Sequence, residues 1–184
     1  MLLKMSELET ERLRLREFRQ SDLTAVAGWE GTEHAEKFLE FCFQSYREWG
    51  MGPWAMLLKE TGVIAGNCGF CRINYDRGAG TLEYCGDVNY YVAPQHRGKG
   101  FATEALRAIL KFGFSDLRLT RIQGRCAPDN VSSERVMQKA GLKFERMIAA
   151  GGESSPQEKL YAISREDFQA SRSAPRSGPV QPQP

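Results

Sequence analysis

Apolar and polar positions change period several times along the chain, and each change marks a predicted element. In Leu13-Arg14-Leu15-Arg16 apolar and charged residues alternate, which predicts a strand over 11–18 with one buried face. Ser21-Asp22 then offers a helix N-cap. Over 32–49 the period lengthens: Phe38, Phe41, Cys42, Ser45, Tyr46 and Trp49 recur at steps of three or four, an aromatic stripe along one helix. Such a stripe serves core packing or the wall of a substrate pocket, and the pattern leaves both open. Strand character returns over 54–59 and 63–72, around Glu60-Thr61-Gly62, which reads as a hairpin turn. A second turn, Asp76-Arg77-Gly78-Ala79-Gly80, leads into a long strand over 81–92. Over 101–114, Phe101, Ala102, Ala105, Leu106, Ile109, Leu110 and Gly113 share a helical face. A strand over 119–126 and a short helix over 132–139 follow, with Gly141 where a C-cap glycine is wanted. Two strands near 142–148 and 159–163 complete the pattern.

The predicted order is β-α-α-β-β-β-α-β-α-β-β, an α+β (mixed α/β) domain. Strand 81–92, helix 101–114 and strand 119–126 form a β-α-β unit whose strands are candidate parallel neighbours. The domain is expected over 1–170. Residues 171–184 hold four prolines and almost no apolar side chains, so a disordered tail is expected there. Composition narrows the function classes. A chain of 184 residues, 41% hydrophobic and 26% charged, suits one ordinary globular domain. A net charge of +2 is too small for a strongly basic nucleic-acid binder. No apolar run approaches the ~18 residues of a membrane span, and no signal peptide is expected. Five scattered cysteines favour reduced thiols in a cytoplasmic protein.

The chemistry concentrates in Tyr91-Val92-Ala93-Pro94-Gln95-His96-Arg97-Gly98-Lys99-Gly100-Phe101-Ala102-Thr103-Glu104-Ala105, where a strand ends, a Gly-rich basic loop follows and a helix begins. A helix's first turn carries unpaired N–H groups and the positive end of its dipole, so this arrangement suits a phosphate. Gly98 and Gly100 permit close backbone approach and positive φ. A Walker-type loop fails, because Ala93 stands at its first Gly and Gly100 at its Ser/Thr. A dinucleotide fingerprint lacks its third glycine at Thr103 and its acidic residue at Cys126. A solvated glycine turn is the bland alternative.

The pattern Q/R-x-x-G-x-G/A is met at every fixed position by Gln95-His96-Arg97-Gly98-Lys99-Gly100. In its fifteen-residue context the segment resembles the coenzyme A loop of the GNAT superfamily of N-acetyltransferases. Pro128 to Phe144, with Asn130, Ser133, Lys139 and Gly141, resembles a segment of the ribosomal-protein (RimJ/RimL-like) branch, and Leu8 to Arg16 with Asp22 is similar to that branch's opening. The resemblance covers roughly residues 8–165. It implies a central, mostly antiparallel sheet splayed into a V, flanked by helices, with the pantetheine arm of acetyl-coenzyme A between the splayed strands.

The resemblance also implies direct attack of a primary amine on the thioester in a ternary complex, with no metal. On this reading Gln95, Arg97, Gly98, Lys99, Gly100, Phe101, Ala102 and Thr103 hold the cofactor, the pyrophosphate being taken by backbone N–H groups from Arg97 to Thr103. A backbone N–H near Val92 polarises the thioester carbonyl. Ser133 serves the leaving thiolate, and Asn130 caps its helix, bonds pantetheine, or both. Alternation places Glu83, Cys85, Asp87, Asn89 and Tyr91 on one strand face. Asp87 is the preferred base, directly or through water, with Glu83 second and an ion-paired carboxylate as the alternative. Asn89-Tyr90 replaces the family's common Gly-Tyr, which narrows or repolarises that face. The acceptor is expected to be a protein N-terminal α-amine, or else a small amine or antibiotic. Relatives often dimerise, so a homodimer is expected.

Two rivals stand beside this reading: an acyl-coenzyme A sensor without turnover, and a nicotinamide oxidoreductase. Cys68-Gly69-Phe70-Cys71 is not read as a metal or redox pair, because residues three apart on a strand face opposite sides. His96 is expected to be solvated near phosphate, and His34 has no assignable catalytic partner.

Overall fold

A computed structural model of the chain describes residues 5–76, 83–149 and 156–173. Eight strands, β1 (Leu8–Glu9), β2 (Leu13–Glu17), β3 (Pro53–Leu58), β4 (Ile64–Asp76), β5 (Glu83–Val92), β6 (Arg121–Cys126), β7 (Lys143–Ala149) and β8 (Gln157–Ser164), form one sheet ordered β1-β2-β3-β4-β5-β6-β8-β7. The helices are α1 (Leu23–Glu30), α2 (Thr32–Trp49), α3 (Phe101–Ser115), α4 (Val131–Ala140) and α5 (Arg165–Ser173). Every pairing is antiparallel except β5 with β6, the pair that α3 connects. A crossover helix is what permits two successive strands to run parallel.

The two edges of β5 differ. Its ladder with β4 runs from Gly66↔Val92 to Asp76↔Glu83. Its ladder with β6 covers only Cys85 to Asp87 against Arg121 to Gln123. From Val88 onward β5 therefore keeps β4 on one side and parts from β6 on the other. The sheet opens into the V implied by the family resemblance.

Alternation sorts side chains to two cores. Leu13, Leu15, Trp54 and Met56 face α3, which answers with fully buried Ala105, Leu106, Ile109 and Leu110. Each large aliphatic chain so buried contributes about 1.5–3 kcal/mol. On the other face Phe18 and Ala55 join Val26, Ala35, Leu39 and Cys42 under α1 and α2. The aromatic stripe of α2 divides between its two readings. Cys42 and Ser45 are core, while Phe38 and Phe41 line a cavity. The Tyr46 hydroxyl donates to Pro53 O (2.5 Å) and accepts from Phe18 N–H (3.1 Å), whereas Trp49 is exposed.

Some expectations need correction. Asp22 does not cap α1 with its side chain; it is buried, paired with Arg16 (2.7 and 3.0 Å), and accepts from Arg19 N–H (2.8 Å). The strand order, which the sequence pattern leaves open, places β8 between β6 and β7, with β7 at the edge. The short β1 and the helix α5 were not predicted. Phe168 of α5 packs on Phe114 at 4.9 Å, and the helix carries residues 171–173, which composition alone places in the tail. The rest of that tail (174–184), and residues 77–80 of the predicted second turn, lie outside the described residues.

Candidate active site at the open edge of β5

The site begins where β5 loses β6. Ala93 N–H donates to Ala65 O (2.8 Å), and Gly66 faces Val92 in the β4–β5 register. Amide direction alternates along an antiparallel strand, so Val92 N–H points away from β4, into the open V. A Cβ on Gly66 would lie 2.0 Å from Tyr91 O, so glycine is what lets β4 close tightly on β5 here.

After Val92 the chain makes a 3-10 turn over Pro94–His96 and enters α3 through two glycines, with φ of +76° at Gly98 and +83° at Gly100. Both sit in the left-handed region that side chains rarely adopt. Gly100 is the N-cap and brings no side chain to the first-turn amides; the ladder of α3 starts with Glu104 N–H on Gly100 O (3.0 Å). The N–H groups of Phe101, Ala102 and Thr103 are thus the helix's orphan donors, beside the positive end of its dipole. Gln95 and Lys99 are exposed at this mouth.

Arg97 departs from expectation. Its amide donates to Pro94 O (3.3 Å) to close the 3-10 turn, so the run of available donors begins at Gly98. Its Nε donates to Val92 O (3.0 Å), and the guanidinium lies 5.7 Å from the Tyr91 ring centre. His96 also differs from the solvated residue expected: its Nδ1 is buried and has no hydrogen-bond partner among the described residues.

A clamp that sequence reasoning missed fixes the loop. Glu104 accepts from Thr10 Oγ1 (2.6 Å), Arg12 N–H (2.8 Å) and Arg12 Nε (2.7 Å). Arg12 also donates to Lys99 O (3.0 Å), and its guanidinium lies 4.8 Å from the Phe101 ring centre. Burial would raise the Glu104 carboxyl, but the Thr10 hydroxyl, the Arg12 amide and the Arg12 guanidinium outweigh it and hold the group below its ordinary range. Arg12, Arg107, Lys111 and Lys139 line a groove of about 700 Å³ running from the loop along α3.

Across the V stands α4. Asn130 caps it, accepting from Ser133 N–H (3.0 Å) and Ser132 Oγ (2.8 Å). The Tyr90 hydroxyl reaches from β5 to donate to Ser133 O (2.9 Å), so a single side chain spans the opening and fixes Ser133 opposite β5. Next to Ser133, Glu134 accepts from Lys159 (2.9 Å) and from the buried Tyr161 hydroxyl; these bonds hold its carboxyl below the usual range.

The predicted base lies deeper than alternation suggested. Asp87 is buried; it accepts from Gln123 Nε2 (2.6 Å) and pairs with Arg125 at 3.5 Å. The side chain of Glu83 lies outside the described residues. Farther along β5, Asn89, Tyr90 and Tyr91 border a cavity of about 430 Å³ with Trp29, Phe38 and Asn67. Cys68 points into the core, while Cys71, in a bulge of β4, is exposed at this cavity and donates to Asp87 O (3.4 Å). Among the described residues no helix is long and apolar enough to cross a membrane.

Residues 12–143, more than half of the chain, match the family described as acetyltransferase (GNAT) domain. YnaD of Bacillus subtilis (strain 168), named an uncharacterized N-acetyltransferase, is 28% identical over 175 residues, 88% of this chain and 98% of its own. A GNAT-family acetyltransferase from Bacillus anthracis superposes with a TM-score of 0.70 at 26% identity, covering 88% of this chain and 99% of the other. A ribosomal-protein-S5-alanine acetyltransferase from Vibrio fischeri shares the fold, with a TM-score of 0.67 at 17% identity over 89% and 99% of the two chains.

Proposed function

Since the chain belongs to the GNAT acetyltransferase family and is an acyltransferase, we propose that it transfers acetyl from acetyl-coenzyme A to an α-amine, by direct attack in a ternary complex. The observation that carries this reading is the continuity of the open β5 edge, where Val92 N–H points into the V, with the uncapped mouth of α3.

The residues present fit coenzyme A. The amides of Gly98 to Thr103 would take the pyrophosphate, with Gln95 and Lys99 at its rim. Arg97 contributes charge and steadies the strand end. Asn130, besides capping α4, and Ser133 would flank the pantetheine arm. The co-substrate supplies an activated acetyl group, and this chain's residues supply the rest. Val92 N–H would stabilise the negative charge that builds on the thioester oxygen. Ser133 Oγ would give a hydrogen bond to the departing sulfur. Asp87 is set back among Gln123 and Arg125, so its proposed role is to receive the amine proton through water.

The acceptor proposed is a protein N-terminal α-amine, as in the ribosomal-protein branch. Chemistry supports it: an α-amine is neutral roughly one time in ten at pH 7, a lysine amine about once in 2,500. A homodimer and a cytoplasmic location belong to the same proposal; the odd number of cysteines, five scattered along the chain, supports the latter. The test pairs a thermal shift with thiol release across N-terminal peptides, polyamines, aminoglycosides and amino acids. Acetyl-coenzyme A at a hundred times its Kd should add about 2.7 kcal/mol of stability, and NAD none. Stabilisation by NAD, or by acetyl-coenzyme A with no amine ever acetylated, would overturn the proposal in favour of one of the rivals.

A further inference from the structure

We propose, on the premise that the cavity beside β5 receives the amine of the reaction proposed above, that its acceptor carries a large apolar ring next to the amine, as an α-amine on an aromatic first residue does. Polycationic amines are excluded by the same surface.

The cavity lies between α1–α2 and β4–β5. Its walls are aromatic and preset. Trp29 rests on Tyr91, ring centres 5.4 Å apart, and Phe38 is held edge-on by Phe18 at 5.3 Å. Phe41, 39% exposed, stands at the mouth. At about 430 Å³ the space admits a ring and the peptide group after it. Two amides, Asn67 and Asn89, offer neutral hydrogen bonds suited to such a peptide group.

Charge decides between acceptor classes. None of the described residues lining the cavity is Asp, Glu, Lys or Arg. Asp87, on the same strand, is engaged by Gln123 and Arg125. A second or third ammonium entering here would lose water and meet no carboxylate among the described lining residues; His34, which also lines the cavity, supplies no negative charge. A monoamine with an apolar neighbour faces the opposite balance: its ring stays out of water against Trp29 and Phe38. Transfer into apolar surroundings also lowers the amine's pKa, so the neutral nucleophile forms as the acceptor binds. This matches a site whose carboxylate is set back rather than in contact.

The test uses the full chain loaded with coenzyme A and follows tryptophan fluorescence, Trp29 being in the cavity wall. The probes are Phe-Gly-Gly amide, Ser-Gly-Gly amide, spermidine and kanamycin. The Phe peptide should bind at least about tenfold more tightly than any other probe, the loss expected from removing a well-buried ring. The exposed Asn89, replaced in Asn89→Asp, should narrow the gap to spermidine by about tenfold, through one added carboxylate. Phe38→Ala should weaken the Phe peptide by a similar factor while leaving coenzyme A affinity unchanged. Equal or tighter binding of spermidine, kanamycin or the Ser peptide overturns the proposal. So does Asn89→Asp with the preference unmoved. Tight binding of the Phe peptide without thiol release from acetyl-coenzyme A instead sinks the transfer reading and supports the ligand class assigned here.

Discussion

Replacing Glu104 by Gln should loosen the cofactor loop without touching a residue that contacts the reacting atoms. In the native protein one carboxylate oxygen serves Thr10 and the Arg12 amide, and the other serves the Arg12 guanidinium. Glutamine keeps the first oxygen but turns an NH₂ toward the guanidinium, donor against donor. A hydrogen bond involving a charged group contributes about 1.5–3 kcal/mol, and solvent around the half-exposed Arg12 offsets part of it, so the net loss is about 2 kcal/mol. For a chain of this length that lowers the melting temperature by about 4–8 °C. Arg12 also holds Lys99 O and packs on Phe101, so loop order falls with it; coenzyme A Kd should rise about tenfold, equivalent to ~1.4 kcal/mol. The assays are thermal melts and calorimetric titration at pH 7. The sign with pH follows from the depressed carboxyl. Its stabilisation is present above its ordinary value of 4.5 and is lost as pH falls through the lower folded value, so native and Glu104→Gln should converge on acidification. A melting temperature within about 1 °C of native, with Kd unchanged, would refute the clamp as what positions the loop.

Three further outcomes are expected. Ser133→Ala should reduce turnover by about tenfold, the scale of one lost hydrogen bond to a charged group, with acetyl-coenzyme A affinity preserved; unchanged turnover removes Ser133 from the mechanism. Gly100→Val forces a β-branched side chain to φ +83° and should cost about 1–3 kcal/mol of stability along with cofactor affinity, read by melting and titration together. Asp87→Asn should lower kcat at pH 7 by about tenfold or more, with partial recovery at higher pH where more amine is neutral; a flat pH comparison with native would exclude the proton-relay role.

What could be read before the structure follows the range of the interactions involved. The glycine loop was legible because Gly98 and Gly100 set backbone conformation by themselves, and the α3 face because its apolar period is local. The α4 cap at Asn130 and its terminus at Gly141 were legible for the same reason. The Thr10–Arg12–Glu104 clamp was not, since its partners are more than ninety positions apart and meet only through the β2–α3 packing. The surroundings of Asp87 depend on the β5–β6 register, which alternation along one strand does not specify. Likewise α5 carries little apolar content besides Phe168 and gains order from Phe114, while Asp22 read locally as a cap and is instead taken by Arg16 from another element.

The most direct test of the whole account is a crystal structure of the chain with a non-transferable acetyl-coenzyme A analogue. The pyrophosphate should lie on the amides of Gly98 to Thr103, and the acyl carbonyl within hydrogen-bond reach of Val92 N–H between β5 and α4. An analogue bound at another surface, or one whose acyl carbonyl turns away from β5, would contradict it.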